Sequence, residues 1–125
     1  MTTPPAVGLV LDCQNPAGLA EFWAAALDYV SVGNAGSYTA LFPNGRSGPK
    51  LLLQQVPEPK QVKNRMHLDI ETPDIEAEAA RLEALGATRV QADQIAEHGT
   101  NWILMADPEG NEFCVCDGGS GVDSG

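Results

Sequence analysis

Four side chains of this 125-residue chain can do chemistry together: His67, Gln54, Trp102 and Cys114. His67 stands in Met66-His67-Leu68-Asp69-Ile70-Glu71, whose alternation puts Leu68 and Ile70 on one strand face and His67, Asp69 and Glu71 on the other. A histidine so placed can bond to Asp69 or a backbone carbonyl, meet a bound molecule near neutral pH, or ligate a metal. Cys114 and Cys116, two residues apart, share a strand face opposite Phe113 and Val115. Such a Cys-x-Cys pair can bind soft metals, and Cys13 could join it; small buried lining residues are the plainer alternative. Trp102 opens a strand and forms either an apolar pocket wall or helix-packing core. Glu112 has the parity of Cys114, and His98 falls in the Ala96–Asn101 loop. There is no Ser/His/Asp constellation and no phosphate loop, because Gly33-Asn34-Ala35-Gly36 reads as a turn with no helix behind it.

These residues need strands to carry them, and the chain spells those strands twice, with a repeat of about 60 residues. Each half opens with a short strand, Val7–Asp12 and Met66–Glu71, and runs into a polar-Pro pair, Asn15-Pro16 and Thr72-Pro73. A polar N-cap followed by proline at the first helical position starts a helix. Leu19, Phe22, Trp23, Ala26 and Leu27 then form one apolar stripe, and Ile75, Ala79, Leu82 and Leu85 another, with Glu76, Glu78, Arg81 and Glu83 facing water. Phe22 and Trp23 at this spacing read as helix-to-sheet core rather than as a ligand box. Gly86 and Asp28 occupy the left-handed positions that end the two helices. Three strands should follow in each half: Val30–Val32, Tyr38–Phe42 and Lys50–Val56, then Thr88–Gln91, Trp102–Ala106 and Asn111–Cys116. Pro43-Asn44-Gly45 and Pro108-Glu109-Gly110, 65 residues apart, supply matching turns.

The order is therefore β-α-β-β-β, twice. The expected class is α+β: two modules, about residues 6–56 and 65–117, forming a curved eight-stranded mixed sheet, a half-barrel pair with helices outside and a trough inside. Residues 57–64 form the linker, 1–117 make a single domain, and the Gly/Ser/Asp-rich 118–125 is a flexible tail.

Composition narrows the partners. Seventeen acids against seven bases give a net charge of −10, which argues against nucleic acid or an anionic membrane. Five of those bases (Arg46, Lys50, Lys60, Lys63, Arg65) fall within residues 46–65, where Glu58 is the lone acid. That cluster reads as a solvated linker with blunted strand edges, or else as an anion-attracting rim beside a pocket. No apolar run is long enough to span a membrane, and Met1-Thr2-Thr3-Pro4-Pro5 lacks the basic start of a secretory signal. An odd three cysteines fit a reducing cytoplasm.

The doubled module resembles the vicinal-oxygen-chelate superfamily of glyoxalase I, bleomycin-resistance proteins and extradiol dioxygenases. The residues that carry the likeness are Leu11-Asp12-Cys13-Gln14-Asn15-Pro16, Arg65-Met66-His67-Leu68-Asp69-Ile70 and Asp107-Pro108-Glu109-Gly110-Asn111-Glu112-Phe113. It is most similar to small bacterial glyoxalase-like domain proteins, over about residues 6–117. The resemblance implies a divalent ion on the trough floor, held by one residue from the first and last strands of each module, acting as a Lewis acid. His67 matches one of those places. Its counterpart in the first module is Gly8, which has no donor; Cys114 stands where the metalloenzymes have glutamate; and Gln54 is the fourth candidate, with Leu52 two residues away.

The resulting expectation is a cytoplasmic glyoxalase-like protein that binds a small organic molecule in the trough through His67, Gln54, Trp102 and Cys114, without the standard catalytic metal. If a metal is held, its ligands would be His67, Gln54 and Cys114. The enzyme alternative is a metal-dependent lyase, isomerase or dioxygenase with an atypical site. The binding alternative is an antibiotic-sequestering protein resembling bleomycin-resistance proteins. The linker permits the modules to pair within one chain or to exchange between two as a homodimer.

Overall fold

The computed structural model describes residues 4–91, 94–97 and 100–117. The chain divides between Pro59 and Lys60 into two compact units.

In the first, β1 (Leu9–Cys13) leads to α1 (Pro16–Leu27), then β2 (Tyr29–Ala35), β3 (Tyr38–Pro43) and β4 (Leu51–Gln55). Asn15 caps α1 by accepting a hydrogen bond from the Gly18 amide at 3.2 Å, with Pro16 just inside the helix. At the other end Asp28 adopts the left-handed conformation, and Arg46 donates to the Leu27 and Asp28 carbonyls at 2.7 and 2.9 Å. One of the clustered bases thus caps a helix C-terminus, where positive charge is favoured.

The sheet order is β1-β4-β3-β2, with β1 and β4 parallel and the other pairs antiparallel. Leu19, Phe22 and Trp23 of α1 are buried with Leu41, Leu51 and Leu53 of the sheet. The Phe22 and Trp23 rings meet edge to face at 5.0 Å, as expected of core residues. Each such side chain contributes roughly 1.5–3 kcal/mol by leaving water. The segment Gly33–Ala35, expected as a turn, instead completes β2. A register shift between Ser31 and Asn34, with Gly33 at φ +117°, lets the strand continue past the irregularity.

The second unit runs β5 (Leu68–Glu71), α2 (Ile75–Leu85), β6 (Thr88–Arg89), β7 (Ile95–Glu97), β8 (Thr100–Ala106) and β9 (Glu112–Cys116). Its sheet order is β5-β9-β8-β6, with β7 also paired to β8. The helix starts two residues later than Thr72-Pro73 suggests. Asp74 is the N-cap, accepting from the Ala77 amide at 3.1 Å, while the Thr72 hydroxyl accepts from the Asp74 amide at 3.3 Å. Thr72 thus shapes the turn into the helix rather than the helix itself. The class is α+β, with one four-stranded and one five-stranded sheet; β7 is the strand beyond the eight expected.

Phe113 and Val115 of β9, Ile103 and Met105 of β8, and Leu82 of α2 are fully buried. The β8–β9 hairpin is fastened by Asp107. Its buried carboxylate accepts from the amides of Glu109 (2.8 Å) and Asn111 (3.0 Å) and from the Asn111 side chain. Gly110, at φ +88°, takes the position that a side chain would strain. This turn sets Ala106 opposite Glu112, and with it the partner of every later residue on β9. No helix among the described residues is long and apolar enough to cross a membrane. His98 and the 118–125 tail lie outside the described residues.

Candidate functional site

Because strand side chains alternate, committing Phe113, Val115, Ile103 and Met105 to the core turns Cys114, Cys116, Trp102 and Leu104 to the opposite face. Register then decides the neighbours. Cys114 lies between Asp69 on β5 and Leu104 on β8, and Cys116 lies between Glu71 and Trp102. His67, two residues before Asp69, joins the same face. Together His67, Asp69, Trp102, Cys114 and Cys116 line a hollow of about 230 Å³. The register settles Trp102 as a pocket wall, not helix-packing core.

Within the hollow, His67 Nε2 lies 3.2 Å from Asp69 Oδ1. The ligating atoms of His67, Asp69 and Cys114 all lie within 4.8 Å of one another. Burial, and secondly the neighbouring Asp69 and Cys116, push the Cys114 thiol up to about 11. It is therefore an uncharged thiol at neutral pH in the absence of a cation.

Glu112, two residues before Cys114 at the start of β9, is not among the residues that line the hollow. Its carboxylate accepts from Lys63 Nζ at 2.9 Å and lies 3.8 Å from Lys60 Nζ; the hydrogen bond from Lys63 is the main reason its pKa falls below the usual carboxylate range. Two more of the clustered bases are thereby tied up in ion pairs.

Three of the four expected residues, His67, Trp102 and Cys114, thus share one hollow in the second module. Gln54 lies on β4 of the first module, half-buried, between Asp12 and Tyr38 in register. Two lining residues carry more weight than their sequence context suggests. Asp69 has the parity of His67 and reads there only as its hydrogen-bond partner; Cys116 reads only as the companion of Cys114. The signal for both was the shared strand face, and the missing fact was which strand lies beside which.

The divalent ion implied by the family resemblance would draw oxygen-rich donors from both modules, and these residues do not supply that set. Gly8 has no donor, and a Cβ there would meet Lys50 Cε at 3.3 Å; Cys114 offers sulfur where a carboxylate would be needed. The donors of the second module are one nitrogen, one oxygen and one sulfur, a softer set.

Comparison with known proteins bears on the whole chain. The family model described as a glyoxalase-like domain matches residues 8–116. No curated protein matches the sequence. Among solved structures, one neighbour is a mutant of the fosfomycin resistance protein FosX from Listeria monocytogenes, complexed with Mn(II) and 1S,2S-dihydroxypropylphosphonic acid. It has a TM-score of 0.73 and 12% identity over 93% of this chain and 91% of that one. A glyoxalase-related enzyme from Fulvimarina pelagi has a TM-score of 0.70 and 16% identity, covering 91% and 88%. A glyoxalase/bleomycin resistance protein/dioxygenase family enzyme from Burkholderia phytofirmans PsJN has a TM-score of 0.69 and 14% identity, covering 86% and 94%. At such identities the likeness is one of fold.

Proposed function

We propose that this chain, which belongs to the glyoxalase-like domain family, binds a small organic molecule in the hollow of its second module. The observation that carries the reading is the lining itself: a broad indole, two small sulfur side chains and one polar His67–Asp69 pair converge on a single space. Binding sites have this composition, mostly apolar walls with a few placed polar groups. At about 230 Å³ the space is smaller than the roughly 300–1,000 Å³ of drug-sized sites, so the ligand is small.

The chemistry of the wall narrows the ligand further. Trp102 offers a flat apolar surface for a planar or aliphatic group. Asp69 accepts a hydrogen bond or pairs with a cation, and the His67 imidazole adds a second polar group. Cys114, protonated, adds no charge. These groups favour a neutral or cationic molecule with at least one donor, and the acidic chain disfavours an anion. The hollow works by binding and orienting; no proton-transfer step is assigned to it.

The test is a fragment screen on the full chain in excess chelator, followed through the Trp102 indole and His67 ring resonances. Neutral and cationic fragments should shift both signals, and Trp102→Ala should weaken their binding at least tenfold. Fragments that bind while leaving both resonances unmoved would refute the reading, as would silence across the screen at millimolar concentration.

A further inference from the structure

We propose that Asn44 is a site of spontaneous covalent modification, at which the following Gly45 converts it to aspartate and isoaspartate and so loosens the end of α1. The site belongs to the first module and uses none of the residues that line the hollow.

The step needs only the chain and water. The Gly45 backbone nitrogen attacks Asn44 Cγ, a new C–N bond closes a five-membered succinimide, and the Cγ–Nδ2 bond breaks. Ammonia leaves, carrying the proton that the Gly45 amide gives up. Water then opens the ring. Cleavage at Cγ yields aspartate; cleavage at the Asn44 main-chain carbonyl yields isoaspartate, with the backbone rerouted through Cγ. Nothing is oxidised or reduced.

The sequence singles out this asparagine. Asparagines stand at 15, 34, 44, 64, 101 and 111, and only Asn44 precedes glycine, whose missing Cβ leaves the attacking nitrogen least hindered. Asn15 precedes Pro16, which has no N–H to give up.

The structure leaves the nucleophile free. Asn44 and Gly45 are exposed and lie between β3 and β4, so no ladder holds their shared peptide plane. A Cβ built on Gly45 would meet nothing within 4 Å, and the Gly45 amide donates no hydrogen bond among the described residues. The other sites are held. Ala35, after Asn34, lies in β2, and Trp102, after Asn101, lies in β8. The Glu112 amide, after Asn111, donates to Asn64 Oδ1 at 2.9 Å.

The neighbours of Asn44 decide what the reaction does. Asn44 Nδ2 donates to Asp28 Oδ1 at 3.2 Å, and the Asn44 amide donates to the Asp28 carbonyl at 3.1 Å. Asp28 ends α1, whose last turn carries no base, so the negative end of the helix dipole depends on Arg46. That guanidinium also lies 3.5 Å from the Asp28 carboxylate and donates to the Asn44 carbonyl at 3.3 Å. Conversion replaces the amide donor with a second carboxylate beside Asp28. An attraction becomes a like-charge repulsion, and the new charge competes with the helix carbonyls for Arg46. Isoaspartate in addition lengthens the main chain by one atom and displaces the carbonyl that Arg46 holds.

The test ages the full chain in mildly alkaline buffer at physiological temperature and follows each asparagine by tandem mass spectrometry. Asn44 should convert at least about tenfold faster than any of the others. Its product should include isoaspartate, labelled by an isoaspartyl methyltransferase and assigned to this peptide. Gly45→Ala should slow the conversion at least about tenfold. Should that variant fail to fold, because Gly45 sits at φ +67°, Asn44→Gln supplies the second measurement: the urea midpoint that falls as the wild type ages should then stay constant. Fresh Asn44→Asp should show a lowered midpoint from the start, and the deficit should shrink in high salt. Conversion of Asn44 no faster than its counterparts, conversion indifferent to Gly45→Ala, or aged protein with an unchanged midpoint would each overturn the proposal.

Discussion

Replacing Asp107 with alanine should be among the most damaging single changes in the second module, although Asp107 touches no part of the hollow. Asp107 is 3% exposed and Asn111 6%, so neither residue is open to water. The carboxylate accepts from the Asn111 amide at 3.0 Å, from Asn111 Nδ2 at 3.0 and 3.3 Å, and from the Glu109 amide at 2.8 Å. In Asp107→Ala the two Asn111 donors are stranded in a buried site, each costing about 1–3 kcal/mol. The Glu109 amide is only part-buried and can recover water, so it adds little. The expected loss is about 2–6 kcal/mol, a large share of the roughly 5–15 kcal/mol that holds a domain together. Asp107→Asn keeps one oxygen and should lose about 1–2 kcal/mol. Urea unfolding followed by far-ultraviolet circular dichroism would show it as a lower midpoint at unchanged slope. The double variant with Asn111→Ala should cost less than the two singles combined, because one stranded donor is gone. An Asp107→Ala protein within about 0.5 kcal/mol of wild type would refute the reasoning, since surface changes alone reach that size.

Other consequences are equally measurable. The folded-state pKa of Glu112 lies below its unfolded value, so its ion pairs stabilise the protein above the ordinary carboxylate pKa, and that contribution fades as pH falls through the lowered one; Glu112→Gln should therefore be less stable than wild type at pH 7 and converge with it in acid, which thermal melts across pH would show. With its thiol at about 11, Cys114 holds about 100-fold less thiolate at pH 8 than an ordinary cysteine, and higher intrinsic nucleophilicity returns roughly tenfold. In chelator its alkylation should run at least about tenfold slower than a free thiol, and Asp69→Asn should speed it by removing a negative neighbour; peptide mapping would read both. Arg46→Ala uncaps two carbonyls at the end of α1 and should cost about 0.5–1.5 kcal/mol, discounted for an arginine that is 46% exposed; a change near zero would mean water serves those carbonyls equally well.

Local signals in the sequence carried much of the fold. Asn15-Pro16 marks the first helix because capping is decided by residues in contact along the chain, and the two Pro-x-Gly turns mark hairpins for the same reason. The second helix shows how such signals can slip. Thr72 and Asp74 can both cap, and the choice depends on which helix position lets Ile75, Ala79 and Leu82 reach the core. Strand β7 was not legible because Ile95 and Ala96 are exposed and carry no burial pattern. The site was half legible. Alternation placed His67 and Cys114 on pocket-facing sides of their strands. What brings Asp69 beside Cys114 is the parallel pairing of two strands more than 40 residues apart, which no local pattern encodes.

That pairing has a consequence for how the protein is made. In each sheet the strand synthesised last lies inside rather than at the edge: β4 between β1 and β3, and β9 between β5 and β8. A nascent second module therefore cannot grow strand by strand as it leaves the ribosome; β5 has no hydrogen-bonded neighbour until residues 112–116 emerge and insert. Until then its backbone edge waits for the last strand of the module, so assembly should arrive as one late event rather than as a gradual accretion.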